Sequence, residues 1–177
     1  MSILDQLTLR LENRFFVHQR IRWDLIEQDL GFVLPADYKI FAESISPGLI
    51  HNEFEIYTPS SVWKRSELQE GVRRDEWQLS FLEPPYFEPD LKTGIVGSKK
   101  LLKSFGCDGY GDSFFWLMNG QPDNWLVVLI NFRDSEMCCT GLRFSEFLLS
   151  LLDKKPIEEW FTDVSYPEDQ PIFVAQQ

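Results

Sequence analysis

The side chains best suited to chemistry lie in one glycine-rich segment, G-C-D-G-Y-G-D, over residues 106–112. Asp108 and Asp112 place two carboxylates four positions apart, and such a pair can bind calcium or act as general acid and base. A calcium-binding EF-hand loop needs further oxygen ligands and a glutamate at its twelfth position, and these are missing here. Glycines permit a positive φ and short aspartates cap turns, so the segment predicts a tight turn. Contact with a partner protein and hydrolysis by the two aspartates stay open as alternatives.

The two histidines and three cysteines of the chain form no known catalytic or metal-binding pattern. His18 is predicted to end the first helix and His51 to lie in a loop, and neither is near a nucleophile in sequence. Cys138 and Cys139 are adjacent, so they cannot easily both bind one zinc ion in tetrahedral geometry. On a strand they would face opposite sides. We therefore expect no catalytic residues, no cofactor, no metal and no enzymatic activity.

Composition restricts the class of partner. The 177 residues carry 28 acidic against 17 basic side chains, a net charge of -11. Such a surface repels nucleic acid and anionic membranes, so we expect a neutral or cationic protein partner. Three cysteines and no apolar signal-peptide core predict a reduced, cytoplasmic protein. The sequence does not determine the oligomeric state, for which a monomer is the simpler expectation.

Apolar spacing predicts the elements that must position these residues. The predicted helices cover residues 1–15, 21–30, 35–45, 60–77 and 144–152. The predicted strands cover residues 53–57, 93–96, 112–118, 125–130 and 137–142. Caps are expected at Ser60 or Ser61 for the fourth helix and at Thr140 or Ser145 for the fifth.

The order of these elements predicts the fold class. Residues 112–118 and 125–130 are two apolar runs joined by a short polar loop, which indicates an antiparallel hairpin. The second run is apolar throughout, as is typical of a central strand covered on both faces. Because helices come first and antiparallel strands later, we predict an α+β fold with a mostly antiparallel sheet packed by helices. Residues 1–155 are expected to form one domain, with residues 156–177 an acidic extension packed on it or exposed.

Several surface residues are candidates for binding a partner. Residues 83–90 hold three prolines and three acids, which predicts an exposed irregular loop. For the two tryptophans of the predicted polar helix, core packing is the alternative. The candidates are Glu83, Tyr86, Glu88 and Asp90 in the loop, Asp108, Tyr110 and Asp112 in the glycine-rich segment, and Trp63 and Trp77 on the helix.

Four segments give the chain a resemblance to a known family. They are W-D-L-I-E-Q-D-L-G-F-V-L-P-A-D-Y-K-I-F, G-C-D-G-Y-G-D-S-F-F-W-L, N-W-L-V-V-L and R-F-S-E-F-L-L-S-L-L. In this order and spacing the chain resembles the Smi/Knr-type branch of the SUKH superfamily over about residues 21–152. Residues 59–92 and the tail after Lys155 do not take part in the resemblance.

The resemblance implies a function as well as an α+β fold. Many bacterial members of the family are immunity proteins, which bind and neutralise a cognate toxin of a polymorphic toxin system. Many such toxins act on nucleic acid and have basic surfaces. A eukaryotic branch resembles regulatory scaffolds linked to cell-wall synthesis, and the family has no recognised catalytic set. We therefore expect an immunity protein whose acidic face covers a basic toxin; the alternative is a non-catalytic scaffold or interaction module with a cellular partner.

Overall fold

The computed structural model of the chain describes residues 2–11, 15–61, 64, 67–82, 99–134, 136–153 and 172–176. The helices are α1 (Ile3–Thr8), α2 (Trp23–Leu30), α3 (Ala36–Ser44), α4 (Leu68–Phe81) and α5 (Phe144–Leu152). The strands are β1 (Gly48–Ile50), β2 (Phe54–Ile56), β3 (Leu102–Cys107), β4 (Asp112–Leu117), β5 (Leu126–Asn131), β6 (Glu136–Arg143) and β7 (Phe173–Ala175). Within these ranges no helix has the length and apolar character needed to cross a membrane.

The described strands form one seven-stranded sheet in the order β6-β5-β4-β3-β2-β1-β7. Every neighbouring pair is antiparallel, and the predicted α+β fold is confirmed. The predicted hairpin is formed by β4 and β5, with Phe114 opposite Leu129. The edge strand β7, from the predicted acidic extension, pairs with β1.

Both faces of β5 are covered, as its apolar sequence predicts, although the strand lies second from the β6 edge of the sheet rather than at its centre. Val127 and Leu129 belong to the larger of two core clusters, whereas Val128 and Ile130 belong to the smaller one. Alternate residues of a strand point to opposite faces, so the two clusters lie on opposite sides of the sheet. The adjacent cysteines of β6 follow the same rule, because Cys138 packs against the larger cluster and Cys139 against the smaller.

Aromatic rings fill the centre of the larger cluster. Phe105 of β3 is fully buried. Its ring centroid lies 4.7 Å from Trp116 and 5.4 Å from Phe144. The ring also contacts Phe114 at 6.1 Å and Phe147 at 5.9 Å. These distances are typical of favourable ring pairs, so β3, β4 and α5 are joined through one side chain.

A buried polar network attaches α4 to the sheet. The Tyr57 hydroxyl donates a hydrogen bond to Asp75 Oδ2 at 3.1 Å, and Arg74 Nε donates to Asp75 Oδ1 at 2.9 Å. Burial raises the pKa of Asp75, while the Arg74 charge opposes that shift. Gly71 sits directly over the Tyr57 ring, where a Cβ atom would lie 2.4 Å from Cδ2. A glycine is thus required for α4 to approach this closely.

We expect Gly71→Ala to destabilise the protein. Alanine favours a helix by about 1 kcal/mol over glycine, but overpacking a core costs roughly 1–3 kcal/mol, and the fully buried Tyr57 ring has little room to move. Gly109→Ala is the matched control, because a Cβ there meets no atom within 4 Å. Urea unfolding should show a loss for Gly71→Ala alone, and equal stability of the two variants would contradict this packing.

Three predicted helix boundaries are wrong: the end of the first helix and both ends of the fourth, since α4 continues to Phe81 rather than ending near residue 77. Helix α1 ends at Thr8 rather than near residue 15, because the chain becomes extended where Ser46 N donates to Phe15 O and Val17 N donates to Ser44 O. His18 therefore does not end a helix. Helix α4 begins at Leu68, not near residue 60, because the Glu67 carboxylate caps it by accepting from Glu70 N at 3.0 Å.

The cap of α5 also differs from prediction. The helix covers the predicted residues 144–152, but neither predicted cap holds its first turn. Glu146 accepts a hydrogen bond from Arg143 N at 2.9 Å. Thr140 Oγ1 instead donates to Val127 O on the neighbouring strand, and Ser145 N donates to Asp37 Oδ2 on α3. The predicted strand over residues 93–96 lies outside the described residues.

Candidate partner-binding surface

The register of the sheet brings carboxylates from separate segments to one end of it. Asp112 pairs with Asn131 on β5, and Asn131 pairs with Glu136 on β6. Cys107, directly before Asp108, pairs with Glu55 on β2, so Glu53, in the turn that precedes β2, lies at the same end of the sheet as the β3–β4 turn. We call this surface the acidic end of the sheet. It comprises Glu53, Asp108, Tyr110, Asp112, Asp134 and Glu136.

The turn predicted over residues 106–112 is present but shorter, over residues 108–111 between β3 and β4, and Asp108 holds it together. Asp108 Oδ1 accepts hydrogen bonds from the backbone N–H groups of Tyr110, Gly111 and Asp112, each at 2.8 Å. Gly111 has a φ of 110°, in the region that favours glycine. The Asp108 carboxylate is therefore a structural acceptor that fixes the backbone between β3 and β4.

The turn presents one aromatic ring to solvent. Tyr110 is 54% exposed, and its hydroxyl donates a hydrogen bond to Glu53 Oε1 at 3.2 Å. The Glu53 charge raises the pKa of Tyr110, and burial raises the pKa of Glu53. An amphipathic ring beside carboxylates is a common anchor in protein interfaces.

Asp112 is the most perturbed carboxyl of this surface. Only 9% of the residue is exposed, and its Oδ1 atom is buried without a hydrogen-bond partner. Burial, followed by the charge of Asp108, raises the pKa of Asp112 to about 7. The charges of Asp134 and Glu136 raise the pKa further, whereas Arg133 lowers it. Asp112 is thus poised to gain or lose a proton near neutral pH.

The pKa of Asp112 predicts a pH-dependent stability. The folded value of about 7 exceeds the unfolded value of about 3.9, so the folded state binds the proton more tightly. The contribution of this proton to the free energy of unfolding is fully present below about pH 4 and is lost as the pH rises through 7. Asp112→Asn cannot titrate. Its free energy of unfolding, relative to wild type, should therefore increase from pH 4 to 8 in a series of urea titrations.

A charge-matched variant separates this effect from net charge. Asp24→Asn removes one charge on α2, where Arg22 lowers the pKa of Asp24, so it should not reproduce the increase. A flat difference between Asp112→Asn and wild type across the pH range would mean that Asp112 is not a buried, unpaired carboxyl.

The candidate Trp77 lies at the surface, so core packing is wrong for this residue. Trp77 is 64% exposed and Phe81, one helical turn later, is 63% exposed. Their ring centroids are 4.7 Å apart in an edge-to-face pair. Glu76, next to Trp77, is paired with Lys103 near the start of β3. Because Asp108 follows the other end of β3, the Trp77–Phe81 pair and the acidic end of the sheet lie at opposite ends of that strand.

The structure describes only some of the sequence-predicted site residues. It brings together Asp108, Tyr110 and Asp112, and it separates Trp77 from them. The candidates outside the described residues are Glu83, Tyr86, Glu88, Asp90 and Trp63. Sequence reasoning missed Glu53, Asp134 and Glu136, because no local pattern reveals which strand ends are neighbours.

Two further reactive side chains, His51 and Cys107, are buried or half-buried. Nε2 of the buried His51 ring lies 3.1 Å from the carbonyl oxygen of Leu151. This contact joins the β1–β2 turn to α5. Burial raises the pKa of the Cys107 thiol to about 11, which disfavours the nucleophilic thiolate. Among the described residues, no group of three or more His, Cys, Asp and Glu side chains is arranged to hold a metal ion.

No protein-family model, no curated protein and no solved structure matches this chain. The resemblance to the SUKH superfamily therefore stays a prediction from the four sequence segments.

Proposed function

We propose that this chain is a cytoplasmic immunity protein that binds and neutralises a cognate basic toxin of a bacterial polymorphic toxin system. The observation that supports the proposal best is the acidic end of the sheet. Five carboxylates from three segments lie at this end of the sheet together with one exposed tyrosine, with Arg133 the cation next to Asp112. Such a surface suits a protein whose own active site is rich in arginine and lysine.

The proposed mechanism is occlusion without catalysis. A toxin that acts on nucleic acid uses cationic side chains to hold phosphate groups. Carboxylates at the acidic end would pair with those side chains and exclude the nucleic acid. The charges would steer association, while the Tyr110 ring would be buried in the complex and slow its dissociation.

The positions of the family-like segments also support the proposal. The first segment forms α2 and α3, and the last forms α5, which pack in the larger core cluster. The glycine-rich segment forms the end of β3, the turn at Asp108 and the strand β4. The part of the chain that resembles the family thus includes both the core of the fold and the centre of the acidic end.

The proposal is tested with the product of the gene next to the one that encodes this chain. Producing that product alone should stop bacterial growth, and producing the two proteins together should restore it. The two proteins should also co-purify as a stoichiometric complex. Failure of the chain to bind the neighbouring product and to restore growth would contradict the proposal.

The Trp77–Phe81 pair favours a second function, that of a regulatory scaffold. Two exposed aromatic rings at the opposite end of β3 from the acidic end give the molecule a separate surface for a cellular partner. Toxin rescue distinguishes the two functions, because a scaffold does not restore the growth of cells that make the neighbouring toxin.

A further inference from the structure

Two carboxylate oxygens at the acidic end are buried without a hydrogen-bond donor. They are Asp112 Oδ1 and Glu53 Oε2. Leaving a buried acceptor unpaired costs about 1–3 kcal/mol, and more when the group is charged. Asp112 is the clearer case, because the residue is nine-tenths buried. The negative charges of the neighbouring acids also destabilise the ionised form of its carboxyl.

The described part of the chain does not supply the missing donor. Arg133 is the nearest candidate, because its Nε would lie 3.2 Å from a Cβ on Gly111, next to Asp112. Within the described residues, however, the Arg133 guanidinium makes no ion pair with Asp112. The space on the other side of the turn is open, since a Cβ on Gly109 would meet no atom within 4 Å. An external side chain can therefore approach the turn, and it can reach the Asp112 carboxyl through Oδ2, since only Oδ1 is buried without a partner.

We propose that Asp112 is the receptor for an arginine side chain of the bound protein partner. This inference rests on the proposed function and specifies the chemistry of the partner at the acidic end. A guanidinium offers parallel N–H donors that match both oxygens of a carboxylate. Rotation about the Cβ–Cγ bond of aspartate is soft and two-fold, so either oxygen can meet the donor. The exposed Tyr110 ring provides a face on which the guanidinium can stack.

In this arrangement Arg133 competes with the partner's arginine for the Asp112 carboxylate. It is the positive charge that favours the ionised form of Asp112 in the free protein, and it lies over Gly111, beside the carboxyl that the partner must reach. Removing its charge should therefore strengthen the binding of an external guanidinium at a pH where Asp112 is ionised.

Pairing also requires Asp112 to lose its proton. The charged groups that face it are Asp108 in the turn, Arg133 and Asp134 between β5 and β6, and Glu136 on β6. With a pKa of about 7, the ionised fraction of Asp112 falls about tenfold between pH 8 and pH 6. The affinity for a guanidinium should fall with it by about tenfold.

The test is an NMR titration of the whole protein with Nα-acetylated argininamide, using Nα-acetylated citrullinamide as the uncharged control of nearly the same shape. We expect saturable shifts of the Gly111 and Asp112 amide signals with argininamide only. Asp112→Asn should weaken binding roughly tenfold or more, Arg133→Gln should strengthen it at a pH high enough to keep Asp112 ionised in that variant, and wild-type affinity should fall between pH 8 and pH 6. Absence of saturable shifts, equal shifts with citrullinamide, or unchanged affinity of Asp112→Asn would overturn the inference.

Failure of this inference is distinct from failure of the proposed function. If the neighbouring gene product binds the chain and Asp112→Asn binds it as tightly as wild type, Asp112 is not the receptor, although the chain is an immunity protein. If argininamide binds as expected and the neighbouring product does not bind, the site stands and the proposed function fails.

Discussion

Replacing Phe105 with alanine should lower the free energy of unfolding by about 3–5 kcal/mol, the range for phenylalanine truncation in a well-packed core. Phe105 is fully buried and contacts rings on both β4 and α5. The cavity left by its removal would be lined by large aromatic groups, which cannot collapse into it easily. The loss should appear in urea unfolding as a lower midpoint with an unchanged slope.

Phe81→Ala is the matched control for this substitution. The same atoms are removed, but Phe81 is 63% exposed, so its truncation should change stability by no more than about 0.5 kcal/mol. Equal losses for the two variants would mean that the aromatic cluster around Phe105 does not hold the sheet to α5.

If the proposed toxin is the partner, neutralising the acidic end should slow association with it roughly tenfold or more at low salt, since steering by complementary charge contributes at least that much to on-rates. The variant combines Glu53→Gln, Asp112→Asn and Glu136→Gln. These amides keep the size of each side chain, and Asp108 is left intact because it holds the turn. The difference should shrink above about 0.15 M salt, where the Debye length is near 8 Å. Surface-based kinetics at two salt concentrations measures both effects.

A control variant with the same net charge isolates position from total charge. Asp24→Asn, Asp29→Asn and Glu70→Gln remove three acids from α2 and α4, away from the strand ends that form the acidic end. If charge at the acidic end steers the toxin, this variant should associate nearly as fast as wild type. Equal slowing of both variants would indicate an effect of net charge alone.

The elements with strong apolar patterns were predictable from the sequence. The β4–β5 hairpin follows from two apolar runs on either side of a polar loop, and α5 follows from its apolar face. Strand β3 was missed, because Lys103, Ser104 and Gly106 interrupt any alternation. Its register also shifts between Ser104 and Gly106. The pairing of β3 with β2, about fifty residues earlier in the chain, is a long-range property that local sequence does not encode.

The candidate site was only partly predictable for the same reason. Glycine and aspartate spacing indicated the turn at Asp108 and marked Tyr110 as a surface residue. Glu53 and Glu136 join it only through strand register, which places separate turns at one end of the sheet. The burial of Asp112 likewise depends on its position at the start of an interior strand.

The most direct test of the proposed immunity function is the growth of cells that make the product of the neighbouring gene, which the proposal identifies as the toxin. Each strain also makes wild-type chain, the acidic-end variant (Glu53→Gln, Asp112→Asn, Glu136→Gln) or the charge-matched control variant, with folding of each checked by urea unfolding. We predict that wild type and control restore growth and that the acidic-end variant, although folded, does not. Full protection by a folded acidic-end variant, or none by wild type, would contradict neutralisation through the acidic end of the sheet.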